Sequence, residues 1–187
     1  MDDPEIITRI AKPADVIFVY SILEEMERSA QARGTGIAKR SPQSICKKIY
    51  EGKAVIVVTK ENKWAGFSYI ESWGNGEFVS NSGLIVNPDY RGNGVATRVK
   101  QAVFELSRER YPESKIFSIT TGEAVLKMNH KLGFVPVTYA GIPSDKAFWD
   151  QCKACVHYPV LNSQERKRCL CTAMVFRPSS FQFGKVI

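Results

Sequence analysis

No apolar run in this 187-residue chain is longer than five residues. A membrane-spanning helix needs roughly 20, so the longest runs, VIFVY (16 to 20) and AVIVV (54 to 58), exclude one, and no membrane partner is expected. A secretion signal is also missing: the first ten residues, MDDPEIITRI, are acidic where a leader is basic, and no long apolar core follows. The expectation is a cytoplasmic protein. Five cysteines, an odd number, without such a signal argue against a disulfide framework. The sequence has no internal repeat and no low-complexity segment.

Sustained basic runs are absent too. The 26 Lys and Arg exceed the 19 Asp and Glu, a formal charge of +7, which favours acidic partners. Only scattered KK, RKR and KR clusters occur, so no nucleic-acid partner is expected. A composition of 44% hydrophobic and 24% charged residues is that of a folded chain, long enough for one domain and an elaboration.

Alternation in EIITRIA (5 to 11) predicts a first strand. Val16, Val19, Tyr20, Leu23, Met26 and Ala30 recur at helical spacing and predict one amphipathic helix over 14 to 30. Ser41-Pro42, a cap and a first-turn proline, opens a second helix that stops near Gly52. Runs at 53 to 60, 64 to 72 and 77 to 86 predict an antiparallel meander. A helix with Val95, Val99, Ala102, Val103 and Leu106 on one stripe continues to about Arg110, and Pro112 ends it. Next come a strand at 116 to 120, a helix capped by Thr120 and Glu123 that ends at Gly133, and a strand over 134 to 140. An irregular stretch precedes a last strand at 168 to 176.

The segment NPDYRGNGVA (87 to 96) places a strand, a turn and a helix N-terminus in succession. Amides opening a helix, aided by its dipole, form an anion site without a cationic side chain. Gly92 and Gly94 allow close backbone approach. The P-loop string GxxxxGK[ST] occurs nowhere in the chain. The run G-N-G-V-A-T lacks the third glycine of a dinucleotide fingerprint and lies mid-chain. Arg91, Gly94 and Ala96 do fit Arg-x-x-Gly-x-Ala.

That string resembles the pyrophosphate-binding motif of the GNAT superfamily of N-acyltransferases. The preceding V-N-P-D-Y and the later K-L-G-F (131 to 134) resemble it as well. The resemblance implies an α/β (α+β) GNAT fold: a mixed, mostly antiparallel sheet splayed at strands 4 and 5, flanked by helices. The core spans 1–140, and a Cys-containing C-terminal extension, 141–187, packs on the same domain. The implied co-substrate is acetyl-CoA or succinyl-CoA, its pyrophosphate held by the amides of Arg91, Gly92, Asn93, Gly94, Val95 and Ala96. The backbone of Leu84, Ile85 and Val86 then pairs with the pantetheine arm like an added strand, beside a bulge that polarises the thioester.

Acyl transfer to an amine needs a base and benefits from an acid. Members of the superfamily often carry a carboxylate on the fourth strand, where this chain has Ser80 and Ser82. Glu71 and Glu77 are the substitute bases, acting directly or through water. Asn129 occupies the position of the usual acidic tyrosine and donates only an amide hydrogen bond.

The acceptor site implied by the resemblance lies near the first two helices and the loop RGTGIAKRS. Its Arg33, Lys39 and Arg40 suit an acceptor with carboxylates. The loop, the NSGLIV strand and the cysteine tail are similar to those of short bacterial N-acylglutamate synthases. The implied acceptor is glutamate, held by Arg33, Lys39 and Arg40 with Asn81 and Ser82. A homodimer is left open. A protein terminus, a polyamine, or a non-catalytic acyl-CoA-binding module are the alternatives.

In the tail, Cys152-x-x-Cys155 and Cys169-x-Cys171 are separated by 13 intervening residues. Two such pairs can supply four thiolates to a structural zinc ion, with His157 able to replace one. Four reduced, partly buried cysteines fit the same pattern. Cys46 reads as core.

Overall fold

The computed structural model describes residues 5–34, 39–163 and 169–178. Strand β2 (Ala54–Thr59) is buried at every position. Ala54, Ile56 and Val58 join Ile22, Met26, Ile45 and Ile49 in one cluster, whereas Val55 and Val57 belong with Val95, Val99, Val103 and Leu106. Because strand side chains alternate, a wholly buried β2, apolar from Ala54 to Val58, carries helices on both faces. Helices α1 (Val19–Ala32) and α2 (Pro42–Tyr50) cover one face and α3 (Val95–Arg110) the other.

Among the described residues the sheet has seven strands in the order β1-β2-β3-β4-β5-β7-β6. Strands β2, β3 (Trp64–Trp73) and β4 (Phe78–Val86) form the antiparallel meander expected from the sequence, and β1 (Ile6–Ile10) adds antiparallel to β2. Strand β5 (Lys115–Thr120) is parallel to β4, but only Phe78, Val79 and Ser80 pair with it, against Lys115, Ile116 and Phe117. Beyond Ser80 the two strands part. The splayed mixed sheet flanked by helices is therefore the observed architecture.

Several local expectations change in three dimensions. Residues Pro13–Phe18 form a 3-10 segment rather than the start of an α-helix. Asp15 holds it, accepting the Lys12 amide at 2.6 Å and Arg9 Nη1 and Nη2 at 2.6 and 2.9 Å. Helix α4 (Glu123–Lys131) has Gly122 at its N-cap and no side-chain cap. Thr120 Oγ1 accepts from the Gly122 amide at 3.0 Å, and Glu123 pairs with Lys127 at 2.6 Å, so the two do not form a capping box. Strand β6 is only Val135–Val137, on the sheet edge where Pro136, lacking an amide, is tolerated.

The stretch expected to be irregular contains short helices α5 (Lys146–Asp150) and α6 (Tyr158–Ser163). Strand β7 (Thr172–Phe176) inserts between β5 and β6, antiparallel to both. Phe78 and Phe117 pack with Trp149, Leu161 and Val175, so the extension shares a cluster with β4 and β5. Arg168, the expected start of the last strand, lies outside the described residues.

Candidate active site

The Asn87 side chain accepts the Asp89 amide at 3.2 Å and donates to Trp64 O at 3.0 Å. It thereby fixes a 3-10 turn, Pro88–Tyr90, at the end of β4. Gly92 and Gly94 follow with φ of +85° and +71°, and a Cβ at either would meet nothing within 4 Å. Gly94 is the N-cap of α3, whose first amides have no partners within the helix. Arg91, Gly92, Asn93 and Gly94 are exposed and Ala96 is half-buried. Val95 is the exception, its side chain buried beneath the turn.

The Arg91 side chain turns away from these amides. Its Nη2 donates to Glu25 Oε1 at 2.5 Å and Ser29 Oγ at 2.8 Å on α1. Burial alone would raise the Glu25 carboxyl, but hydrogen bonds from Ser29 and Arg28 and the charges of Arg28 and Arg91 hold it below the ordinary carboxylate value.

In β4, Ile85 stands opposite Phe67 and Ser82 opposite Tyr69, so Gly83 and Leu84 together oppose Ser68. This is a β-bulge. Gly83 has φ +68°, and a Cβ there would meet the Tyr69 ring at 2.7 Å. Ile85 is buried, and Leu84 and Val86 are half-buried, on the stretch of β4 that has left β5.

A cavity of about 330 Å³ opens at the splay, lined by Lys39, Arg40, Lys48, Tyr69, Glu71, Trp73, Ser80 and Ser82 with neighbouring residues of α2, α5 and the chain after α5. Lys48 Nζ donates to Glu71 Oε2. Arg40 Nε donates to Tyr69 OH at 2.6 Å. Trp73 Nε1 and Ser82 Oγ each donate to Ser80 Oγ at 3.1 Å. A groove of about 830 Å³ along α1, lined in part by Leu23, Met26, Ala30 and Val156, shares Lys39 and Arg40. The smaller cavity is the one bordered by the serines at the splay.

The predicted site residues divide accordingly. Glu71, Lys39, Arg40 and Ser82 meet in the cavity. Glu77 is exposed at the far end of β4 and pairs with Lys115 at 2.9 Å. Arg33 is exposed at the C-cap of α1, and residues 35–38 of its loop lie outside the described residues. Asn129 is fully buried. Its Nδ2 approaches Met174 Sδ at 3.7 Å, and its Oδ1 has no hydrogen-bond partner.

Asn81 faces the opposite side of the sheet from Ser80 and Ser82. It accepts from Lys100 Nζ at 3.0 Å and donates to Ser107 Oγ at 2.7 Å. Lys100, on α3, sits 4.7 Å from the Phe134 ring centroid, and burial pushes its ammonium down to about 7. Lys48, Tyr69 and Trp73 are cavity residues that sequence reasoning missed. For Lys48 a signal existed: it falls on the same α2 stripe as Ile45 and Ile49.

Cys152, Cys155, Cys169, Cys171 and His157 line one cavity of about 40 Å³ with Tyr139 and Trp149. Burial, then the nearness of Cys169 and Cys155, pushes the Cys171 thiol up to about 12. Among the described residues no three His, Cys, Asp or Glu side chains are already gathered as a metal site. Nor is any helix among them long and apolar enough to cross a membrane.

The model of the Acetyltransferase (GNAT) family matches residues 19–134. No functionally curated protein gives a significant match. Among solved structures, N-acetylglutamate synthase from Neisseria gonorrhoeae, complexed with coenzyme A and N-acetyl-glutamate, superposes with a TM-score of 0.64 at 16% identity. The match covers 92% of this chain and 35% of the synthase, so this chain spans about a third of that protein. A Mycobacterium tuberculosis protein in complex with coenzyme A superposes at 0.64 and 13% identity, covering 91% and 98%. A Salmonella typhimurium protein with acetyl-CoA superposes at 0.62 and 14%, covering 98% and 99%. At these identities the likeness is one of fold.

Proposed function

Because the chain belongs to the acetyltransferase (GNAT) family, and is thus an acyl-CoA-dependent N-acyltransferase, we propose that its acceptor is the α-amino group of glutamate. The donor is acetyl- or succinyl-CoA, and the reaction is the acylglutamate-forming step of arginine biosynthesis in the cytoplasm. One observation carries this reading: the cavity at the splay is lined by three cations, Lys39, Arg40 and Lys48, and one carboxylate, Glu71, with Lys48 paired to Glu71. Such a site is built for a small anion bearing an ammonium group. The Neisseria synthase, a neighbour in fold, is complexed with coenzyme A and N-acetyl-glutamate.

The residues present fit the donor. Open space above Gly92 and Gly94 and the α3 amides suit a pyrophosphate. The β4 backbone from Leu84 to Val86, free of β5, suits an extended amide-bearing arm. Glu71 accepts the ammonium proton, directly or through water. The freed amine nitrogen bonds to the thioester carbonyl carbon as the carbon–sulfur bond breaks. Amides at the bulge stabilise the developing oxyanion. The electron pair leaves on sulfur, and the thiolate takes a proton from solvent, since thiols ionise near neutral pH without help from a strong acid. The buried Asn129 stays out of this step.

A polyamine acceptor is disfavoured, because it would bring further positive charge to three cations. We further propose that Cys152, Cys155, Cys169 and Cys171 hold a structural zinc ion, supported by their meeting at one small cavity.

The test is free-thiol release from acetyl- and succinyl-CoA with glutamate, aspartate, ornithine and spermidine, with products identified by mass. Acylglutamate is expected. Release only with another amine would overturn the glutamate assignment.

A further inference from the structure

Lysines are almost never fully buried unless paired. Lys48 is 8% exposed, on the α2 face that also buries Ile45 and Ile49. Its ammonium is paired with Glu71 inside the cavity at the splay. Neighbouring charges have partners of their own: Lys53 pairs with Glu51 at 2.8 Å, and Arg40 donates to Tyr69. An ammonium and a carboxylate side by side reproduce the two charged groups of an amino acid.

We propose that Lys48 binds a carboxylate of the acceptor, and that the Lys48–Glu71 ion pair is an internal stand-in for the bound zwitterion. This rests on the cavity being the acceptor site, as proposed above. When the acceptor enters, its ammonium takes over Glu71 and a carboxylate takes over Lys48. One ion pair opens and two form, so no buried charge is left without a partner. An amine lacking a carboxylate satisfies Glu71 but strands the Lys48 ammonium, a costly outcome in a partly desolvated site. The pair therefore selects amino acids over simple amines by penalising the wrong ligand. The same exchange delivers the acceptor ammonium to the carboxylate that must remove its proton.

The experiment compares wild type, Lys48→Met, Lys48→Arg and Glu71→Gln. Turnover is measured over glutamate, aspartate and carboxylate-free amines, and binding of glutarate, a dicarboxylate without an ammonium, by calorimetry. Lys48→Met is expected to raise the acceptor KM by at least about tenfold with a much smaller change in kcat. Lys48→Arg should partly rescue it at unchanged Tm. Glu71→Gln is expected to lose kcat yet bind glutarate more tightly than wild type, because the competing internal carboxylate is gone.

Unchanged glutarate affinity in both variants, or a loss of kcat at constant KM in Lys48→Met, would make Lys48 only a positioning group for Glu71 and overturn the proposal. If aspartate replaces glutamate as the acceptor, the glutamate assignment falls while the KM effect of Lys48→Met persists. Acylation of carboxylate-free amines alone would sink both.

Discussion

Arg91 Nη2 lies 2.5 Å from Glu25 Oε1, tying the turn before α3 to the helix that walls the groove along α1. Glu25 is 5% exposed and also accepts from Ser29 Oγ at 2.6 Å. Arg91, the first residue of the proposed pyrophosphate turn, thus acts through its side chain as an anchor while its backbone remains with the turn. Arg91→Ala leaves Glu25 to Arg28 and Ser29. The Arg91 side chain is 51% exposed, so the stability loss is small, about 1 kcal/mol. The larger effect is expected on coenzyme A: a rise in Kd of about tenfold for each 1.4 kcal/mol of lost turn order, read by calorimetry. Unchanged affinity would detach the anchor from the turn.

Gly94→Ala tests the turn itself. At φ +71° a Cβ costs about 1 kcal/mol of strain, yet it meets no atom of the protein. A Tm drop of roughly 2–4 °C is expected for a chain of this size. The donor KM should rise more than this strain explains, because the Cβ projects into the open space proposed above for the pyrophosphate. A Tm drop with an unaltered donor KM would place the anion elsewhere.

Much of this was legible from local pattern. The continuous apolar run of β2, the α3 stripe and the glycine turn are short-range signals, and each appears where the sequence puts it. Asn81 shows a readable signal passed over: period-2 alternation places it opposite Ser80 and Ser82, away from the cavity. Asn129 is similar, since it follows Leu126 by three residues on α4 and so shares its inward face. The Lys48–Glu71 pair joins residues 23 apart, and β7 enters between β5 and β6 from the end of the chain. Those pairings depend on how elements assemble, which neither propensity nor periodicity encodes.

Lys100 predicts a pH dependence of stability. Burial lowers its ammonium to about 7 from an ordinary value of 10.5, so between these pH values the unfolded chain binds more protons than the folded one. Stability contributed at this site therefore rises as pH increases from about 7 towards 10. Lys100→Met keeps the stem and removes the charge. It is expected to raise Tm at pH 6 and to change it far less at pH 9. An equal shift at both values would mean the ammonium is not penalised by its surroundings.

The cysteine cluster makes a prediction independent of catalysis. Tyr139 OH donates to Cys171 O at 2.8 Å, and the Cys155 amide donates to Cys152 O at 2.9 Å, so each cysteine pair has a backbone carbonyl fixed beside the same 40 Å³ cavity. Because no three of these side chains are already gathered, binding would require the thiols to turn inward onto a shared ion. Protein purified without chelator is expected to carry about one zinc per chain, measured by elemental analysis. Stripping the metal should lower Tm, because binding energy at a structural site is folding energy. Cys169→Ser should reproduce that loss, and its Tm should no longer respond to added zinc. Zinc-free protein with an unaltered Tm on zinc addition would instead identify four reduced thiols packed among Trp149, Leu161 and Tyr139.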